Sequence, residues 1–228
     1  CNLNCVWCQN PEGLAKKFEL FYDNKKCIQC KKCIKICPID KIIENNKIDF
    51  KKINCVEMCD KCFQVCPTNA IYKSGKYYDV DELIKLLIKD ISFYLSSSGG
   101  ITLSGGEPLI QIEFLKNILP RIKNYNLSVF IETCGAVPLK NIISIDNFVD
   151  HFYFDIKIIN PEKHKKYTGK SNKIILQNLK YMYNEGISLS IRIPLIPYIT
   201  DTEENINDII LFLKKNNMDN TSCELLPY

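Results

Sequence analysis

The sequence predicts an α/β fold built on a parallel sheet, with a cysteine-dense insert near its start. Three observations lead there. From Tyr77 onward, apolar residues recur alternately at helical and at strand spacing. Between Gly13 and Tyr72 that periodicity disappears, and short apolar pairs sit among cysteines and lysines with too little apolar material for a core of their own. Eleven of the 13 cysteines fall into three tight runs, one over Cys1–Cys8 and two inside that segment.

The first helix is read over Asp81–Tyr94 (DELIKLLIKDISFY), apolar at helical spacing behind an aspartate cap. Gly99-Gly100 ends it, and Ile101–Ser104 follows as a strand. Glu113–Lys123 reads as a helix and Leu127–Thr133 as the next strand. A short helix near Leu139–Ser144 leads to strand Phe152–Ile158, and helix Lys173–Asn184 to strand Leu189–Pro194. Glu203–Lys215 is the last helix and Cys223–Leu226 the last strand. Repeated β-α units of this length imply parallel pairing with right-handed crossovers. Cys1 occupies the place of a loop after a strand, so the chain is expected to begin inside its fold, with the first strand missing.

Within the strands, the alternation locates a site. Tyr153, Asp155 and Lys157 share one face, and Phe152, Phe154 and Ile156 the other. Ser188, Ser190 and Arg192 oppose Leu189, Ile191 and Ile193 in the same way, and Glu132 stands near a strand's C-terminal end. A sheet covered by helices is apolar on both faces. Here one face turns polar toward the C-terminal strand ends, where parallel α/β architectures place ligands. Charge there is costly unless it binds something.

At 228 residues the chain can bury one large domain, or a large one with a small one. The composition, 46% hydrophobic and 25% charged, is that of a globular protein. No apolar run reaches the ~18 residues of a membrane span, and no signal peptide is visible. The formal charge of +4 comes from lysines spread along the chain, so neither a nucleic-acid surface nor a membrane surface is expected.

The spacing of each cysteine run carries chemistry. The first is Cys1-x3-Cys5-x2-Cys8. The second is Cys27-x2-Cys30-x2-Cys33-x3-Cys37-Pro38, and the third Cys55-x3-Cys59-x2-Cys62-x3-Cys66-Pro67. Disulfides fit neither an odd total, nor spacings this tight, nor a remainder with its own core. Zinc, the stronger rival, takes four ligands as two separated pairs. The two runs ending in Cys-Pro repeat the bacterial two-cluster ferredoxin pattern, in which three cysteines of one run share a 4Fe–4S cluster with the fourth of the other. Cys27, Cys30 and Cys33 therefore pair with Cys66, and Cys55, Cys59 and Cys62 with Cys37. The extra residue between Cys55 and Cys59 departs from the plain spacing. Such clusters either staple a core-poor insert or relay electrons, and both readings stay open. Cys134 and Cys223 are left over and read as buried strand-end thiols.

Three thiolates in the first run leave one iron of a third 4Fe–4S cluster free to take an amine and a carboxylate, as S-adenosylmethionine offers. A fourth ligand from Cys134 or Cys223 is the rival reading, and Trp7 reads as a packing residue. With all three clusters, at roughly −2, −2 and −1, the protein sits near a charge of about −1. Ser104-Gly105-Gly106-Glu107-Pro108 directly follows a strand. Glycines there let backbone approach a ligand closely, although most Gly-Gly turns only reverse the chain.

The chain resembles the radical S-adenosylmethionine proteins, and within them the glycyl-radical-enzyme activating enzymes of the pyruvate formate-lyase-activating type. The resemblance runs in order through CNLNCVWCQNPEG, SSGGITLSGGEPL, IETCG, FDIKIINPEKHKKYTGKSN, IRIPLIP and ELLPY. The insert resembles the subgroup that activates enzymes other than pyruvate formate-lyase. The resemblance implies a partial (β/α)6 barrel, divided as a cluster loop over 1–17, a ferredoxin-like insert over 18–74 and the rest of the barrel over 75–228. It implies that Cys1, Cys5 and Cys8 hold the catalytic cluster, with Lys157 beside the reaction. Gly105, Gly106 and Glu107 would help hold the methionyl amine, with Glu132 and Thr133 near it. Asp155 and Lys157 would meet the ribose hydroxyls and the carboxylate, and Arg192 would steady the charge. His164 is expected at the surface of a lysine-rich loop.

The implied reaction is reductive cleavage of S-adenosylmethionine, whose radical product takes hydrogen from a backbone glycine of a partner glycyl radical enzyme. A flavodoxin or ferredoxin would donate the electron to a monomeric protein in an anaerobic cytoplasm. The alternatives are a radical enzyme acting on a small molecule or RNA, and a plain ferredoxin-like electron carrier. Three features depart from the pattern. The family's opening strand and glycine-rich loop are absent before Cys1, and no histidine follows ELLPY. Tyr198 stands where the family has glycine, so that loop is expected to take another path.

Overall fold

The computed structural model describes residues 1–14, 20–38, 43–44, 47–48, 59 and 61–228. The chain divides into two compact units, one of Cys1–Leu14 with Tyr78–Tyr228 and one of Ala15–Tyr77.

The smaller unit runs β1 (Leu20–Tyr22), α1 (Lys32–Ile36), β2 (Ile43–Glu44), β3 (Lys47–Ile48), α2 (Lys61–Gln64) and β4 (Ile71–Lys73). β1 pairs antiparallel with β4, and β2 with β3. Among the described residues its buried core is Cys33, Cys62 and Ile71, with Leu20, Tyr22, Ile34 and Phe63 packed around it. Two of those three buried groups are cysteines. The core formed by the described residues would not by itself offset the entropy of ordering them, and a module of this size needs staples.

The larger unit continues with α3 (Val80–Leu87), α4 (Ile91–Ser96), β5 (Gly100–Leu103), α5 (Ile112–Lys123), β6 (Ser128–Thr133), α6 (Leu139–Ile143) and β7 (His151–Asp155). Then come α7 (Pro161–Thr168), α8 (Lys173–Asn184), β8 (Leu189–Leu195), α9 (Glu203–Lys215) and β9 (Cys223–Pro227). The expected parallel sheet forms, with β5 to β9 side by side in chain order. Phe152, Phe154, Val129, Ile131 and Ile191 are fully buried in one core with Leu119, Ile122, Leu179 and Met182 of the covering helices. Tyr153, Asp155, Glu132 and Arg192, which alternate with them, are only half-buried.

Several local expectations change. Asp79, not Asp81, caps the first helix: its carboxylate accepts the Glu82 N–H at 2.7 Å. That segment is two helices, because a 3-10 turn over Ile88–Asp90 tightens the end of α3. The lysine-rich segment expected as a loop is helix α7. Asn160 accepts the Glu162 and Lys163 N–H groups at 3.0 Å, Pro161 opens the helix, and Gly169 closes it at φ +80. Cys223, expected to be buried, is exposed because β9 is the edge strand. Tyr198 itself takes φ +63, a region that favours glycine, and its N–H donates to Asp201 Oδ1 at 2.7 Å.

Candidate cofactor site at the C-terminal strand ends

The loop carrying Cys1, Cys5 and Cys8 is seated by three segments of the larger unit. The Asn4 N–H donates to the Thr168 carbonyl at 2.8 Å, and the Val6 N–H to the Tyr167 carbonyl at 3.0 Å. Those carbonyls end α7 and have no partner within the helix. The Asn2 side-chain amide donates to the Ala136 carbonyl beyond β6. Trp7 lies 6.4 Å from the Tyr167 ring, centroid to centroid, which is a packing contact. The third segment is the turn after β5. A Cβ on Gly106 would lie 2.4 Å from both the Cys1 nitrogen and the Gly13 carbonyl oxygen, so the approach of the two segments requires glycine. Gly105 adopts φ +117, and nothing stands within 4 Å of where its Cβ would point.

Glu107 is buried, and both of its carboxylate oxygens accept hydrogen bonds. Oε1 accepts the Leu109 N–H at 3.1 Å and the Thr133 hydroxyl at 2.9 Å, and Oε2 accepts the Cys134 N–H at 2.8 Å. Thr133 Oγ1 in turn accepts the Gly135 N–H at 2.9 Å. These two residues lock the ends of β5 and β6 together and fix the Gly105-Gly106 turn. Cys134 is buried behind them, its thiol pushed well up by burial and by the Glu107 carboxylate.

Beyond β7, Lys157 Nζ meets Asp155 Oδ2 at 2.8 Å. Burial opposes the Lys157 charge, but Asp155, with smaller help from Cys5 and Cys134, outweighs it and holds the amine above its usual value. The Cys5 thiol is raised by burial, against the attraction of Lys157, with Cys8 and Asp155 adding to the rise. Cys5, Cys8, Asp155 and Lys157 therefore share one electrostatic neighbourhood. A thiolate trio there, beside an ammonium and an open glycine turn, fits a cluster with one uncommitted iron and a zwitterionic ligand.

A second network lies across the strand ends. Arg192 Nη1 donates to Glu132 Oε1 at 2.6 Å, and its Nε donates to Glu224 Oε2 at 2.9 Å. Ser104 Oγ donates to Glu132 Oε2 at 2.5 Å. Burial pushes the Glu132 carboxyl up, but Ser104 and Arg192 outweigh it and hold it below the usual carboxylate range.

Sequence reasoning missed four buried residues that hold the site's loops. Asn178 on α8 donates to the Gly135 and Val137 carbonyls, each at 2.8 Å. Asn172 donates to those of Ile158 and Ile159 at 3.0 and 2.6 Å. Asn205 on α9 donates to the Lys157 carbonyl at 3.0 Å and to that of Thr200 at 2.9 Å. The fourth is His164, expected at the surface but only 1% exposed. Its Nδ1 lies 2.6 Å from the Lys170 carbonyl, so it carries the proton and donates, while Nε2 is buried without a hydrogen-bond partner. His164 and Thr168 thereby shape the end of α7 that grips the cysteine loop.

In the smaller unit, Cys27, Cys30, Cys33 and Cys66 line one cavity of about 360 Å³ together with Tyr22, Lys31 and Thr68. The Ala70 N–H points at Cys66 Sγ at 3.2 Å, and the Gln29 N–H at Cys27 Sγ at 3.4 Å. The Tyr22 phenol bonds the Cys27 sulfur, which is the main reason it is pushed up to about 12. Thiols around a volume, with N–H and O–H donors aimed at sulfur, fit a polynuclear cluster. Among the described residues no group of His, Cys, Asp or Glu converges on a single metal ion. Of the other assigned set, Cys37, Cys59 and Cys62 are described and Cys55 lies outside the described residues.

Comparisons with known proteins agree with this chemistry. The Radical SAM superfamily matches residues 51–212 and the 4Fe-4S dicluster domain residues 19–67. The trans-4-hydroxy-L-proline dehydratase activating enzyme of Clostridioides difficile is 42% identical, over 100% of this chain and 76% of that protein. The choline trimethylamine-lyase activating enzyme of Oleidesulfovibrio alaskensis is 32% identical, over 100% of this chain and 75% of that protein. The crystal structure of a domain of pyruvate-formate lyase-activating enzyme from Bacteroides vulgatus superposes with a TM-score of 0.52 at 28% identity, covering 57% of this chain and 81% of that chain. Streptococcus suis SuiB, at 14% identity and a TM-score of 0.54 over 68% of this chain and 34% of its own, shares the fold.

Proposed function

Because this chain belongs to the radical S-adenosylmethionine superfamily, and within it to the activating enzymes of glycyl radical enzymes, we propose that it installs a radical on a backbone glycine of such a partner. When bound, the cluster held by Cys1, Cys5 and Cys8 supplies one electron to the sulfonium of S-adenosylmethionine, giving methionine and a 5′-deoxyadenosyl radical that takes a hydrogen atom from the glycine.

The protein's own residues bind and orient. Gly106 brings the cysteine loop against the turn after β5, and the open side of Gly105 leaves backbone accessible to an ammonium. Lys157, neutralised in part by Asp155, faces the carboxylate end of the zwitterion, while Asp155 keeps an oxygen for a hydroxyl. Glu132 and Arg192 line the polar face beside them. Glu107 and Thr133 serve by fixing the turn rather than by presenting an open carboxylate. The observation that carries this reading is the seating of the Cys1–Cys8 loop on the end of α7 and against the Gly105-Gly106 turn, in a unit that also sets the Lys157–Asp155 pair at the end of β7.

The insert, taken as residues 18–74, holds two further 4Fe–4S clusters on its eight cysteines. The chain works as a monomer in an anaerobic cytoplasm, and no described helix is long and apolar enough to cross a membrane.

The test is anaerobic incubation of reconstituted, dithionite-reduced protein with S-adenosylmethionine and a candidate glycyl radical enzyme. Methionine and 5′-deoxyadenosine should accumulate, and a glycyl doublet should appear by electron paramagnetic resonance. Protein with a full catalytic cluster that releases no 5′-deoxyadenosine would overturn the proposal.

A further inference from the structure

We propose that the insert carries a docking face for an acidic one-electron carrier protein of the ferredoxin type, centred on Cys30. The inference rests on the reading of the insert as a cluster module, and it names where and to what kind of partner that module opens.

The observations converge on the stretch Asn24–Ile36. Of the four thiols lining the cavity, Cys33 is buried, Cys27 and Cys66 are half-buried, and Cys30 is exposed. One edge of whatever these thiols hold therefore lies at the surface. Ile28, next but one to Cys30, is 63% exposed, and Ile36 is 41% exposed. Lys25, Lys26, Lys31, Lys32 and Lys35 are all exposed in the same stretch. Asp23 is the one acid between Leu20 and Pro38, and it is occupied by Lys26 at 3.7 Å and by the Lys25 N–H at 2.9 Å. Among the described residues, no other ion pair is made by these five lysines.

A small apolar centre inside a polar rim is the anatomy of a transient protein interface. A rim of one sign steers an oppositely charged partner and raises its association rate. The chemistry at the centre says what the partner exchanges: a surface-accessible thiolate edge passes electrons, and no proton or group need move. The step balances as one electron lost by the reduced carrier and one gained by the oxidised cluster held by Cys27, Cys30, Cys33 and Cys66. Lysine-rich surfaces are usually only solvated, but here the exposed thiol and the two isoleucines add what solvation does not need.

The experiment follows bleaching of the cluster absorbance by stopped flow as anaerobic holoprotein is mixed with a reduced acidic ferredoxin. The wild-type rate should fall steeply with added salt. The triple variant Lys25→Glu, Lys32→Glu, Lys35→Glu should be reduced at least about tenfold more slowly at low salt. Lys85→Glu, Lys89→Glu, Lys140→Glu, with the same change in net charge elsewhere, should stay within about twofold of wild type. Dithionite, which needs no docking face, should drive 5′-deoxyadenosine formation equally in all three proteins. Equal ferredoxin rates for the two triple variants, or a salt-insensitive wild-type rate, would overturn the proposal. Loss of dithionite-driven cleavage in wild type would instead count against the proposed function and leave the bleaching rates readable. Iron and sulfide assays confirm loading, and the glutamine triple Lys25→Gln, Lys32→Gln, Lys35→Gln, expected about threefold slow, replaces the glutamate triple if that loads poorly.

Discussion

The guanidinium of Arg192 lies over the ring of Tyr153, its central carbon 3.5 Å from the ring centroid. Adjacent parallel strands put the two residues on one face, Tyr153 opposite Ser190 and Arg192 opposite Asp155. Stacking leaves the edge of the fork free, and that edge reaches Glu132 on one side and Glu224 on the other.

A lysine at this position has no plane to stack and no fork to span two carboxylates. Arg192→Lys should cost about 1–2 kcal/mol of stability, and a double-mutant cycle with Tyr153→Leu should return a coupling of about 0.5–1 kcal/mol. Thermal unfolding of the four anaerobic proteins measures both. Additive losses would show that the stacking contributes nothing.

Gly106→Ala places a methyl group where the Cys1 nitrogen and the Gly13 carbonyl stand, so the cysteine loop must move. Reconstituted protein should carry about four fewer iron atoms per chain and cleave no S-adenosylmethionine. Gly105→Ala meets no atom but must adopt φ +117, and should keep its iron while losing about 1–2 kcal/mol. Iron and sulfide analysis distinguishes the two outcomes.

Asn205→Ala leaves the Lys157 and Thr200 carbonyls without their shared donor. It should cost about 2–4 kcal/mol, and, by releasing the Lys157 backbone, weaken S-adenosylmethionine binding about tenfold. Asn178→Ala should cost a similar amount without touching Lys157. Equal binding losses in both would refute a specific link through Lys157.

Both histidines of the chain sit below their usual pKa. For His164 burial is the first cause, with Lys157 adding to it against the Lys170 carbonyl. For His151 it is burial, then Arg192, against Glu224. A depressed pKa means that the unfolded chain binds the proton more readily. The stability tied to the neutral rings is therefore complete above about pH 6.5 and declines as pH falls below it. The melting temperature should drop between about pH 6.5 and 5.5, and less steeply in His164→Asn. Parallel profiles for the two proteins would refute the assignment to His164.

The parts of this protein that announce themselves in sequence do so by repetition. Cysteine spacing and the alternation in FYFDIK and SIRIPL place the site, because thiolate sets and strand faces have fixed periods. Helix α7 was harder, since its lysines erase the apolar stripe and its mark is only the Asn-Pro-Glu opening and the closing glycine. Asn172, Asn178, Asn205 and His164 were not legible at all: a polar residue on a helix reads as solvated until tertiary structure buries it against carbonyls of another segment. The resemblance names Glu107 beside the methionyl amine, but nothing in the sequence shows that its carboxylate also accepts the Leu109 and Cys134 N–H groups and the Thr133 hydroxyl, partners up to 27 residues away.

Each of the asparagine ties reaches back to a loop laid down by an earlier strand: Asn172 and Asn178 on the α8 side to the loops after β7 and β6, Asn205 to the loop after β7. The units overlap like roof shingles, so none between β6 and α9 can be excised or exchanged without unroofing its predecessor. All of these ties join residues of the larger unit, whose chain is interrupted between Leu14 and Tyr78. Evolution could splice a separate redox module there and leave every tie intact.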